Sequence, residues 1–281
     1  MARIALVTGG NQGLGLALVR GLSREFGEDG VVYLGARDRG RGEAAVRGLE
    51  AEGLALRLEL IDVSDGESVR ACARRIADRH GGVDVVISNA AARISKDVPD
   101  ERQVRAFVDT NNHGTHRMIE AFGPLLNDGA RFVVVASAFG TLESLDPRLH
   151  ALFDTDRMSL DDVADVMNRY VDAVEAGRAA AEGWPDWINV PSKVGQVASV
   201  RVTARQWAEE AARRDILINA ACPGLVDTDA SRPWFDDMSQ AASPDQAAVD
   251  VLWLALLPAG TREPYGELVQ YRKVLPFKAS L

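Results

Sequence analysis

Cysteine is nearly absent from this chain of 281 residues: Cys72 and Cys222 stand far apart and nothing else carries a thiol. That excludes a disulfide framework, and neither residue has the spacing of a metal ligand, so no metal is expected and both thiols read as reduced. An excess of positive charge is lacking too. The net charge of -9 argues against a nucleic-acid backbone or an anionic membrane surface as partner. It leaves a neutral or cationic ligand, or an anion held locally by arginine. No apolar run approaches the roughly 20 residues of a membrane span. The opening run Ile4 to Val7 is too short for a secretion signal and leads straight into a glycine loop, so the cytoplasm is the expected compartment. Repeats, low-complexity tracts and linkers are also missing, which predicts one domain over residues 1–281.

What is present is a strand and helix rhythm with 47% hydrophobic residues, enough for a large core. Ile4 to Val7 reads as a strand, followed by Thr8, Gly9, Gly10, Asn11, Gln12, Gly13, Leu14 and Gly15, then a helical pattern through Leu16, Val19 and Leu22. Glycines there let the backbone approach a pyrophosphate, whose charge is favoured by the N–H groups of the helix that follows. Further strands are predicted at Val31 to Gly35, Leu56 to Ile61, Val83 to Ser88, Phe132 to Ala136, Ile216 to Ala221 and Glu267 to Gln270. Alternation of this kind means an α/β fold, a Rossmann-like doubly wound parallel sheet of seven strands.

Ligands in such sheets gather beyond the carboxyl ends of the strands. Past the second strand stand Arg37 and Asp38: an arginine suits the 2′-phosphate of NADP(H), an acid the free hydroxyls of NAD, and Arg37 favours NADP(H). Asp62 and Val63 end the third strand, where a carboxylate accepts from an adenine amino group. Asn89, Ala90 and Ala91 end the fourth. Ser137 ends the fifth, either as a functional hydroxyl or as a turn former. After the sixth, Pro223 and Gly224 turn the chain so that Val226 and Thr228 face a nicotinamide. His113, alone on a predicted helix from Asp100 to Leu126, reads as structural or surface.

The stretch from 141 to 188 breaks the rhythm. It holds eleven acids against four arginines. Ser159 with Asp162 is a helix start, and Val163, Met167, Tyr170 and Val171 form an apolar face. Two readings stand: a lid over the substrate, or an extra helix with a solvated acidic exterior. The insertion runs into Trp184-Pro-Asp-Trp-Ile-Asn-Val-Pro-Ser-Lys193. Asn189 and Lys193, four apart, share one helix face, and Asn189 also suits a helix N-cap.

Taken together, Thr8-Gly9 with Gly13-Leu14-Gly15, Asn89-Ala90-Ala91, Asn111, Ser137, Lys193 and Pro223-Gly224 resemble the short-chain dehydrogenase/reductase superfamily along essentially the whole chain. Gly35-Ala36-Arg37-Asp38, the insertion ending at Gly183-Trp184-Pro185, Ala221-Cys222-Pro223-Gly224 and Leu254-Ala255-Leu256-Leu257-Pro258 resemble its carbonyl-reductase type. The resemblance implies a ketoreductase with Asn111, Ser137 and Lys193 in catalysis, Lys193 also holding the cofactor through its nicotinamide ribose hydroxyls, and a monomer, because the insertion covers a surface that other members use to tetramerise. It also implies a tyrosine four residues before the lysine, the general acid that protonates the carbonyl oxygen. Here that residue is Asn189, and an amide has no proton to give near neutral pH. Ala91 replaces the usual glycine.

Two classes of function follow. In the first, the protein is an enzyme whose proton comes from elsewhere: from the phenol of a peri-hydroxy aromatic ketone, with Asn189, Ser137 and Ser95 orienting the substrate, or from Tyr170 of the insertion. The resemblance then points to a tailoring enzyme of aromatic polyketides in antibiotic biosynthesis, one acting at C-7 of an angucyclinone such as that of simocyclinone. In the second, it is a non-catalytic NADP-binding sensor or scaffold.

Overall fold

The computed structural model describes residues 2–278. In chain order the elements are β1 (Arg3–Thr8), α1 (Gly13–Phe26), β2 (Gly30–Ala36), α2 (Arg39–Ala51), β3 (Arg57–Leu60), α3 (Gly66–His80), β4 (Val83–Ser88), α4 (Asp100–Val108), a π-turn at 109–113, α5 (Gly114–Phe122), β5 (Leu126–Val135), α6 (Leu160–Glu175), α7 (Ala179–Glu182), α8 (Asn189–Arg214), β6 (Leu217–Cys222), α9 (Pro244–Ala255), β7 (Leu268–Gln270) and β8 (Lys273–Leu275).

The sheet runs β3-β2-β1-β4-β5-β6-β7-β8. Its first seven strands are parallel, as expected, and an eighth pairs antiparallel with β7. That eighth strand corrects the seven-stranded expectation. Its two-residue hairpin is built on Tyr271 and Arg272, both at positive φ, a turn whose usual sign is Asn-Gly. Strand order reverses between β1 and β4, which opens a crevice at their carboxyl ends.

Alternation along β1 divides the core. Ala5 and Val7 face α1 and α9, with Leu18, Leu22 and Val251. Ile4 and Leu6 face the other layer, with Val69, Phe122 and Val197. The insertion belongs to this second layer. Val163, Met167, Tyr170 and Val171 of α6 are buried within it, and Arg105 of α4 meets Asp172 at 3.1 Å and Glu175 at 2.6 Å. Ser159 and Asp162 form a reciprocal capping box at the start of α6. Ser159→Ala is expected to lower stability by about 1 kcal/mol; denaturant unfolding checks this, and an unchanged midpoint would remove the cap from the account.

Candidate active site

Two clefts lie at the carboxyl edge of the sheet, of about 440 and 450 Å³. The first is walled by the glycine loop. Thr8, at the end of β1, ties that loop to the end of β4: its hydroxyl accepts from the backbone of Asn89 and of Ala90, each at 3.0 Å, and its carbonyl accepts from Asn89 Nδ2 at 2.9 Å. Gly9 and Gly13 sit at φ +65° and +52°, where a side chain is strained. Gly15 is needed for space: a Cβ there would lie 2.1 Å from the Gly9 carbonyl oxygen.

Of the residues singled out for a dinucleotide, Gly9, Asn11, Gln12, Gly13, Leu14 and Gly15 line this cleft. So do Arg37, Asp62, Val63, Asn89, Ala90 and Ala91, with Lys193 and Thr228 at its inner end. Pro223, Gly224 and Val226 line the second cleft instead. A backbone cradle open to a pyrophosphate, an arginine past β2 and a carboxylate past β3 fit NADP(H). Asp38 lines the same cleft, but its carboxylate is spent on the chain itself. It caps α2, accepting from the backbone of Arg41 at 2.8 Å, and that bond holds its carboxyl below the usual range.

Asn111, Ser137, Asn189 and Lys193 all line the second cleft. Ser137 caps the short turn after β5, accepting from the Phe139 backbone at 3.3 Å, so it both shapes the turn and faces the cleft. Asn111 lies in the π-turn, and its side-chain oxygen accepts from the backbone of Ala92 at 2.8 Å. Asn189 occupies the first position of α8, with Ile188 as its cap residue. The N-cap expectation is therefore off by one residue, because the turn over Trp187 already takes the Val190 N–H at 3.0 Å. Lys193 lines both clefts and lies where they meet. Burial pushes its ammonium down to about 8, partly offset by the nearby Cys222.

Ser95 and Tyr170 do not join this group. Ser95 is an exposed turn residue whose hydroxyl accepts from the Asp97 backbone at 3.2 Å. Tyr170 is fully buried 4.8 Å from Trp184, and its hydroxyl has no partner among the described residues. Burial raises its pKa, which makes the phenol a poorer acid, and no residue of α6 lines either cleft. The lid reading thus gives way to the extra helix, and the proton cannot come from that tyrosine. His113 pairs with Asn168 of α6 at 3.0 Å, a structural contact.

An aromatic wall emerges that the sequence reading did not assemble. Trp187 stands 5.3 Å from Phe139, 5.6 Å from Trp234 and 6.5 Å from Phe235, and all four line the second cleft. They come from three distant segments. The available signal was the scarcity of aromatics, 6% of the chain, set against Trp-Phe side by side at 234 and 235.

The short chain dehydrogenase family model matches residues 3–146. Rat carbonyl reductase [NADPH] 1 is 35% identical over 278 residues, 98% of each chain. The chain belongs to the short-chain dehydrogenase family. Human carbonyl reductase [NADPH] 1 is 36% identical over 275 residues, covering 96% of this chain and 97% of its own. Among solved structures, salutaridine reductase from Papaver somniferum superposes with a TM-score of 0.80 at 23% identity, over 95% of this chain and 99% of that one. The fold expected of this family is the fold observed.

Proposed function

We propose that the protein is an NADPH-dependent ketoreductase acting on a polycyclic aromatic ketone, with the proton supplied by a phenol of the substrate beside the carbonyl. The observation that carries this reading is Lys193 at the meeting point of the two clefts, with Asn189 where a phenolic acid is expected and an aromatic wall lining the same cleft. Its relatives are carbonyl reductases named for NADPH, and Arg37 suits the extra phosphate. When bound, the reduced nicotinamide supplies hydride to the carbonyl carbon.

This chain's own residues do the rest. Ser137 and the Asn189 amide donate hydrogen bonds that orient the carbonyl oxygen. The Lys193 ammonium stabilises negative charge as it develops there. Phe139, Trp187, Trp234 and Phe235 hold a flat ring system by stacking and keep water from the reacting carbon. The substrate's phenol passes its proton to the neighbouring carbonyl oxygen and regains one from water. An angucyclinone C-7 ketone of an antibiotic pathway has this chemistry, and a monomer acting in the cytoplasm is part of the same reading.

Asn189 also favours a second reading, an NADP-binding sensor or scaffold without turnover. NADPH oxidation across hydroxylated polycyclic quinones and ketones, with Asn189→Tyr alongside, separates the two. Cofactor consumption with stoichiometric alcohol supports the enzyme; binding of NADPH with no consumption by either form supports the sensor. For the cofactor, Arg37→Ala is expected to weaken NADPH by roughly 10–100-fold, the worth of a charged hydrogen bond, and to leave NADH unchanged. Equal weakening of both in a fluorescence titration would contradict the role given to Arg37.

A further inference from the structure

Among the described residues no carboxylate pairs with Lys193. Its ammonium donates to Gln196 Oε1 at 2.8 Å and, at 3.4 Å, to the Val135 carbonyl of β5. Gln196 is itself buried, one helical turn further along α8. Its Nε2 donates to the Asn111 carbonyl and to the Thr115 hydroxyl, each at 3.1 Å, and Thr115 donates to that same carbonyl at 2.7 Å. Asn111 lies in the π-turn at 109–113, where the backbone departs from the regular helical ladder.

The two ends of the Gln196 amide therefore meet groups of fixed polarity. An ammonium only donates and a carbonyl only accepts. Flipping the amide would set N–H against N–H and oxygen against oxygen, so a single orientation is selected. A glutamate in this place would also grip the ammonium, but it would cancel the charge. An amide grips and leaves the charge intact, and once a bound substrate displaces water from the cleft an uncompensated charge acts strongly on its neighbours.

We infer that Gln196 is the positioning residue of this site, a neutral acceptor that aims the Lys193 ammonium at the junction of the clefts without neutralising it. This rests on the carbonyl-reduction reading, in which that charge stabilises oxygen anions formed on the substrate. Cys222, at the end of β6, is the titratable group bearing on Lys193. Val135 of β5, Asn111 of the π-turn and Thr115 of α5 present neutral groups to the pair. Burial is what lowers the Lys193 pKa, as it does for a cation with no carboxylate beside it.

The test reads the lysine directly. The chain has four lysines, so [ε-13C]lysine gives four NMR resonances, and Lys193→Met identifies the one that matters. In the native protein Lys193 is expected to titrate near 8. Gln196→Glu should move the midpoint up by about one pH unit or more, as an opposite charge within reach does, and lower kcat on a hydroxylated aryl ketone about tenfold. Gln196→Met, which keeps volume and removes the acceptor, should move the midpoint down. The alkaline limb of kcat should follow the midpoint in each form, a response that a merely structural residue would not produce. Midpoints unchanged in both variants overturn the inference. Gln196→Leu, which also removes the acceptor, reads the same downward shift should Gln196→Met fail to fold, and an unchanged midpoint there counts equally against the inference. Should the native protein reduce no ketone while the titrations shift as expected, the reduction reading fails and the hold of Gln196 on Lys193 stands.

Discussion

Gly15→Ala is expected to weaken NADPH binding at least about tenfold and to cost about 1–3 kcal/mol of stability. The added methyl would lie 2.1 Å from the Gly9 carbonyl oxygen, 2.6 Å from Asn89 Nδ2 and 2.9 Å from the Gly9 carbonyl carbon. Two of these three are backbone atoms of the loop that faces the pyrophosphate, so relief requires the loop to move. Asn89 is not free to yield, because its amide already donates to the Thr8 carbonyl at 2.9 Å. The clash is therefore transmitted to the end of β4 as well. Gly53, at φ +81° with open space around it, supplies the control: Gly53→Ala should cost backbone strain alone and leave NADPH affinity unchanged. Fluorescence titration with NADPH, paired with thermal denaturation, checks both. Native affinity in Gly15→Ala would mean that the cofactor does not lie on this loop.

Methylating the phenol beside the carbonyl of a substrate is expected to lower its reduction by about 10²–10⁴-fold, the worth of a positioned acid. The reasoning is one of elimination at the carbonyl oxygen. Asn189 donates hydrogen bonds but no proton. Ser137 is a neutral hydroxyl and a weak acid, Tyr170 is buried elsewhere, and Lys193, with two of its three N–H bonds spent on Gln196 and Val135, is assigned the standing charge at the oxygen rather than the proton. Removing the substrate's own acid leaves positioning and the lysine's charge, so a residual rate is expected rather than none. Asn189→Tyr restores an acid at the first turn of α8 and should recover part of the rate on the methyl ether.

Much of this fold is legible in the sequence. Seven strands announce themselves as apolar runs between turn residues, and the glycine loop, Arg37, Ser137 and Lys193 stand where a doubly wound sheet must place ligand-binding groups. What was hidden depends on geometry that local pattern does not carry. The region from 100 to 126 reads as one helix because a π-turn adds a residue without breaking the run of helical conformations, yet that turn presents the Asn111 carbonyl. The sequence suggests a strand start at Phe132 because Asn127, Asp128 and Gly129 look like a turn, yet β5 begins at Leu126 and runs through them. The amphipathic face of α6 was plain, but which surface it covers was not: packing on α4 and α8, rather than roofing the cleft, was decided by residues far away in sequence. Gln196 was unremarked because a polar residue on a helix is ordinarily solvated, and only the burial of its whole neighbourhood makes it informative.

The most direct measurement pairs two ketones identical except for the phenol and its methyl ether, each assayed for NADPH oxidation at saturating cofactor and with binding determined separately. The account predicts that both bind and that only the phenol is reduced at an appreciable rate. Equal turnover of the two would contradict it, because the proton would then come from the protein or from water rather than from the substrate.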